Sequence, residues 1–259
     1  MSARVVALTI APVKGLRALE REEIALGPHG VRENRRFLLI DPESRMVNAK
    51  RHGSLQTVVA DYDDSQRTLS LRFADGTVVA GPVEAGKRIA AAFFGATIAT
   101  RAVLGPYSAA LSEQLGTPLR LVESVAEWGG VDRGREGTVT LISSASVERV
   151  AVAAAAAGPL DARRFRMLVE VDGVAAHAED AWLDRPLRLG GAVVLARGHV
   201  GRCVVTKRDP DSGEADVDTL RALASYREQD ETTEPLACGI YGTVLEPGAV
   251  RLGDPVEPA

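Results

Sequence analysis

The chain has 259 residues, 46% of them hydrophobic and 25% charged, with 25 glycines, 13 prolines and a formal net charge of −4. This length and composition fit one or two compact units with a sizeable core and exclude disorder and collagen-like repeats; the mild acidity argues against a nucleic-acid partner, which calls for a basic excess. Two cysteines, Cys203 and Cys238, cannot make a disulfide framework or a four-cysteine zinc site, so a cytoplasmic protein is the expectation.

Val5 to Ile10 reads as an apolar strand ended by Pro12. It is far short of the roughly 20 residues that cross a bilayer, so no membrane role is expected. Phe37 to Ile40, Leu55 to Ala60 and Leu69 to Phe73 read as further short strands, and Asp75-Gly76 as the tight turn of a hairpin. Gly81 to Arg88 copies the phosphate-loop spacing, but Arg88 stands where Ser or Thr would hold Mg²⁺ and Pro82 lacks an amide donor. A turn leading into a weak helix over Gly86 to Phe94 is expected instead. Ser108 to Leu115 predicts a helix closed by Gly116. The Gly- and charge-rich stretch Glu127 to Gly137 marks a boundary between units 1–126 and 127–259.

Beyond it, Ser146 to Ala157 is Ala-rich and helix-favouring, and Asp218 can cap a helix over Thr219 to Glu228. Asp172-Gly173, Gly190-Gly191 and Pro247-Gly248 mark turns. Many short strands and few helices predict a mainly β, α+β protein built on barrels or sandwiches rather than a βαβ array.

The chain contains no GxGxxG after a strand and no GxSxG elbow, and His29, His52, His177 and His199 are scattered. The adjacent acids Glu179 and Asp180 are expected to be solvated. Nucleotide hydrolases, dehydrogenases, zinc hydrolases and serine hydrolases therefore drop out. Three basic clusters remain: Arg32/Arg35/Arg36 with Lys50/Arg51, Arg163/Arg164/Arg166, and Arg197/Arg202 with Lys207/Arg208. They are either solvated strand edges or a convergent anion site. Cys203 lies in the strand-like run Gly201 to Thr206 with Arg202 beside it, and is either packing or a thiolate ligand or nucleophile. Cys238 has no adjacent base or cation and reads as packing.

The surroundings of Cys203 carry a larger pattern. Arg202-Cys203-Val204-Val205-Thr206 leads to Asp209-Pro210-Asp211-Ser212-Gly213, then Leu220, Leu223 and Tyr226-Arg227, and closes with Gly253-Asp254. Upstream stand Ser143-Ser144, the triplet Arg164-Phe165-Arg166, and near the start Ala11-Pro12-Val13-Lys14-Gly15, Asn34-Arg35-Arg36-Phe37 and Asn48-Ala49-Lys50-Arg51. In this order the blocks resemble the MOSC domain preceded by the MOSC N-terminal β-barrel domain, as in amidoxime-reducing components.

The resemblance implies an N-terminal β-barrel domain over 1–126 and a MOSC β-barrel domain over 127–259. It implies a molybdenum–pterin cofactor with Cys203 as metal ligand and catalytic residue. Lys14, Gly15, Arg35, Ser143, Ser144, Arg164, Arg166 and Arg202 are the implied cofactor-binding residues. The implied activity is reduction of N-hydroxylated or N-/S-oxygenated small molecules, with electrons from a separate ferredoxin, flavoprotein or cytochrome. A persulfide or cofactor carrier without turnover is the alternative. The chain departs from the family pattern at Gly15 (usually Ser), Asn34 (usually Asp), Met167-Leu168 (commonly Pro-Asn) and Cys238 (usually Phe).

Overall fold

The computed structural model describes residues 3–125 and 134–259. Seven strands close a barrel, in the order Val169–Asp172, Val139–Ser143, Ala237–Glu246, Ala192–Gly201, Pro186–Leu189, Pro255–Pro258 and Ala3–Ile10, which pairs back onto Val169–Asp172. Closure gives every strand of the ring a neighbour on both sides. Inside it Leu8, Leu141, Val169, Val171, Leu187, Leu189, Val194 and Ile240 are solvent-free. All neighbours run antiparallel except Val139–Ser143 and Val169–Asp172, which are parallel. The crossover that a parallel pair requires includes helix α2, Ser144–Ala153 in the chain's second half.

Ala3–Ile10 sits in this ring between two strands from the second half of the chain. A second exchange repeats the theme: Gly248–Arg251 pairs with Glu23–Leu26. The remainder of the first half makes a five-stranded sheet (Met46–Val47, Phe37–Ile40, Arg120–Ser124, Ala96–Leu104, Glu84–Phe93) and a three-stranded meander (Val59–Asp63, Thr68–Arg72, Val78–Pro82). Helix α1, Tyr107–Leu115, seals their shared core, with Tyr107 and Leu111 packed on Phe37, Leu55, Leu69 and Leu121. The Tyr107 hydroxyl is buried and donates to the Gly81 carbonyl at 2.6 Å.

Several expectations hold. Gly76 turns the Thr68–Arg72/Val78–Pro82 hairpin at φ +88, Gly116 ends α1 at φ +66, and Asp218 caps α3, Thr219–Arg227, by accepting from the Arg221 amide. Others are corrected. Gly86 to Phe94 is not a helix. It belongs to strand Glu84–Phe93, paired along its length with Ala96–Leu104, and the ladder outweighs the alanines' helical preference. Gly81 to Arg88 accordingly leads into a strand. Leu55 to Ala60 divides into a 3₁₀ turn, Gly53–Thr57, and the start of Val59–Asp63.

Helix α2 begins and ends early, because Ser143 caps it and Ala155 turns to φ +49. The run at Cys203 is not strand: Ala192–Gly201 stops before it, and Cys203 opens a 3₁₀ turn over Val204–Lys207. Most of the boundary stretch 127–137 lies outside the described residues. Its last part, Gly134–Gly137, is a 3₁₀ turn.

Candidate functional site

Where the barrel meets the first-half sheets there is a cleft of about 340 Å³. The strand pair Ala192–Gly201/Ala237–Glu246 slips register after Ala196 and again after His199. Such bulges bend a strand's end, and here the chain leaves the barrel wall as Gly201-Arg202-Cys203 and lines the cleft. The Cys203 carbonyl accepts from both the amide and the hydroxyl of Thr206, each at 3.0 Å. Thr206 in turn shares a 2.7 Å hydrogen bond with Thr219, the first residue of α3. The thiol is thus carried on a backbone whose carbonyl Thr206 holds twice, Thr206 itself being tied to α3.

Opposite it, Val13 to Leu16 forms a turn closed by the Leu16 amide on the Val13 carbonyl, with Gly15 at φ +95. Lys14 and Gly15 line the cleft from this turn. Arg35 donates to the Arg166 carbonyl at 2.6 Å, and Arg166 donates to the Leu16 carbonyl at 2.8 Å. Arg35 and Arg166 both sit at φ +55, and Phe94, also in the cleft wall, at +46. A left-handed backbone costs a non-glycine residue roughly 1–2 kcal/mol, so the surrounding structure has to hold these three residues in place. Arg202 is fastened by its Nε to the Cys238 carbonyl (2.8 Å) and by Nη1 to the Phe165 carbonyl (2.8 Å).

Lys14, Arg35, Lys50, Arg164, Arg166 and Arg202 line the cleft, and among the described residues no Asp or Glu does. The implied residues are not equivalent. Lys14, Gly15, Arg35, Arg164, Arg166, Arg202 and Cys203 come together from positions far apart in the chain. Arg164, 3% exposed, is engaged by Asp216 in a two-pronged ion pair at 3.0 Å and by the Thr206 carbonyl, so it chiefly braces the segment after Cys203. Its buried Nε has no hydrogen-bond partner among the described residues.

Ser143 and Ser144 are not brought to the cleft. Ser143 caps α2, its amide donating to Glu179 Oε1 (3.2 Å), and Ser144 donates to Glu170 (2.7 Å). The solvated reading of Glu179 is overturned: it is fully buried, its carboxyl also accepting from Ser146 in the first turn of α2. Asp180, its neighbour, pairs with Arg227 at 2.8 Å.

Cys238 is fully buried and its thiol is pushed up to about 12 by burial, so it stays protonated, as the packing reading expected. Cys203, half-buried, is the thiol of the cleft. No group of three His, Cys, Asp or Glu side chains arranged to hold a metal occurs among the described residues.

The departures have local reasons. Gly15 occupies a turn position that requires positive φ. Asn34 accepts from the Ala11 amide at 2.9 Å, and Met167 Sδ accepts from Arg202 at 3.0 Å, while Leu168 enters the barrel core. Sequence reasoning missed Phe93 and Phe94 as cleft residues, since it placed them in a helix. The usable signal was an aromatic pair before Gly95 in a chain only 4% aromatic.

No helix among the described residues is long and apolar enough to cross a membrane. A mitochondrial amidoxime-reducing component 1 from Mus musculus is 36% identical over 102 residues, covering 37% of this chain and 29% of the relative. A molybdenum cofactor sulfurase from Oryza sativa subsp. japonica is 36% identical over 73 residues, 27% of this chain and 9% of that protein. The matches thus span less than a third of each relative's length. Among solved structures, the YUAD protein from Bacillus subtilis aligns over 99% of this chain and 95% of its own at 12% identity and TM-score 0.48. Residues 2–116 match the MOSC N-terminal beta barrel domain and residues 129–257 the MOSC domain, and with the closed barrel in place the chain belongs to the MOSC family.

Proposed function

We propose that this cleft holds a molybdenum–pterin cofactor through Cys203, and that the protein reduces N-hydroxylated or N-/S-oxygenated small molecules with electrons from a separate redox protein. The observation that carries the reading is that half-buried Cys203 lines the same cavity as Lys14, Arg35, Arg166 and Arg202. A thiolate is the donor a soft, sulfur-bound metal takes, and guanidinium and ammonium groups suit a phosphate-bearing pterin. The donor set therefore fits the group. The similarity to the mouse amidoxime-reducing component and the rice molybdenum cofactor sulfurase points the same way.

When bound, the cofactor supplies two-electron redox chemistry. The chain's own residues do the rest. Cys203 provides the sulfur ligand, and Thr206 and Arg164 keep its backbone from shifting. Lys14, Arg35 and Arg166 form the anion-holding side, and Arg202, tied to Phe165 and Cys238, sets the distance between that side and the thiol. For an N-hydroxylated substrate the balance is two electrons and two protons in, an N–H bond and one water out. The electrons come from a ferredoxin, flavoprotein or cytochrome donor.

The rice relative's name supports a second reading, in which Cys203 carries a persulfide for sulfur delivery. Protein purified from a molybdenum-replete host distinguishes them. The reductase reading expects molybdenum and oxidisable pterin near one per chain, both the metal and reduction of an amidoxime being lost in Cys203→Ser. Protein without metal or pterin overturns it, and a gain of one sulfur atom on Cys203 in that protein establishes the carrier.

A further inference from the structure

We infer that Phe94 selects the substrate of this cleft, offering a ring on which a planar, conjugated and non-cationic molecule stacks; this rests on the reductase reading above. Phe94 forms the tip of the hairpin joining Glu84–Phe93 to Ala96–Leu104, with Phe94 at φ +46 and Gly95 at +83. Two-residue turns with both φ positive are the domain of Asn, Asp and Gly, and a phenylalanine there is disfavoured. It is also 59% exposed, the only aromatic side chain so exposed among the described residues. Neither turn chemistry nor burial explains its presence.

Its surroundings do supply a reason. The ring stands edge-on to Phe93, centroids 4.8 Å apart, and Lys14 Nζ and Lys50 Nζ lie 5.4 and 4.8 Å from its centre. These contacts hold an exposed ring in a defined pose. Phe94 is shared by the cleft that contains Cys203 and by an outer groove of about 820 Å³ lined also by Met46, Leu115 and Leu119. With Asn48, Lys50 and Phe93, the ring thus lies on the boundary between the thiol's cavity and that groove, so a substrate entering from the groove passes it.

The chemistry of that partition is selective. An aromatic face rewards a flat π-system, and two ammonium groups about 5 Å away penalise a cation stacked there. Aryl amidoximes and aryl hydroxamic acids, neutral at pH 7, fit both conditions. Aliphatic analogues forgo the stacking, and permanently cationic oxygenated amines meet the lysines.

The test compares wild type with Phe94→Gly, Phe94→Leu and Phe94→Tyr, all loaded with cofactor to equal molybdenum content. Phe94→Gly suits the turn better and guards against misfolding. The readout is the ratio of kcat/KM for benzamidoxime to that for acetamidoxime. It is expected to fall about 3- to 10-fold in the Gly and Leu variants, through KM rather than kcat, and to be restored by Tyr. An unchanged ratio overturns the inference.

Binding of benzohydroxamic acid, followed by saturation-transfer NMR, keeps the inference and the reductase reading separable. Ring-dependent binding of the same size in protein that reduces nothing supports the role of Phe94 while the reductase reading falls. Turnover with Phe94-independent binding overturns the inference and leaves the reductase reading intact.

Discussion

Replacing Gly15 by serine restores the residue commonly found after the motif lysine in this family, and the structure predicts that it destabilises the protein. Gly15 is the third residue of the turn Val13 to Leu16, the position at which a type II turn demands positive φ. At φ +95 a side chain costs at least the roughly 1–2 kcal/mol of a left-handed residue. A Cβ would also stand 3.3 Å from Asn48 Cα and 3.4 Å from the Ala49 nitrogen, both backbone atoms with little freedom to retreat. The sum is about 2 kcal/mol, which for a chain of this size lowers Tm by about 4–8 °C. Urea denaturation should show a lower midpoint at unchanged m-value. Gly15→Ala should cost the same, because the penalty lies in the Cβ and not the hydroxyl. A Gly15→Ser protein as stable as the wild type refutes the argument from backbone geometry.

Two further outcomes are expected. His177 hydrogen-bonds Tyr226 at 3.1 Å, and burial first, then the Arg227 guanidinium, lowers its pKa from 6.5 to about 4. Between those pH values the unfolded chain takes up a proton that the folded chain refuses. Stability should therefore be full above about pH 6.5, fall by up to about 3 kcal/mol as pH drops to 4, and level off below. His177→Gln should flatten that part of the urea-midpoint-versus-pH curve; equal slopes in variant and wild type contradict the assignment. Iodoacetamide should label only Cys203 in native protein and reach Cys238 only in denaturant, as mass spectrometry of tryptic peptides would read. Native labelling of Cys238 would contradict its burial.

The parts legible in the sequence were those governed by local chemistry. Asp75-Gly76, Gly116 and the Asp218 cap each act within a few residues, and each stands where the sequence puts it. Family motifs located most of the cleft, since Lys14, Arg35, Arg166, Arg202 and Cys203 do converge. What stayed hidden depends on distant partners. The alanines of Glu84–Phe93 favour helix until Ala96–Leu104 pairs with them, and with that error went the hairpin tip that carries Phe94. Glu179 looks like a solvated acid until α2 sets its N-terminus against it. Ser143 and Ser144 have the right chemistry for an anion site, but Glu179 and Glu170 already engage them.

The strand Ala3–Ile10 has a consequence for how this chain reaches its native state. Its neighbours in the ring, Val169–Asp172 and Pro255–Pro258, lie far downstream of it in the chain. Before those strands are in place only its last three residues have a near partner, Leu19–Arg21, and the rest of its edges and its apolar face stay uncovered, a delay that slows folding and exposes a sticky segment. A cut between the two family matches, 2–116 and 129–257, would not release two proteins, because the second piece would keep a barrel with a missing stave. Supplied as a separate peptide, Ala3–Ile10 is expected to be the part that closes it, so the ring of the second half depends on a strand from the first.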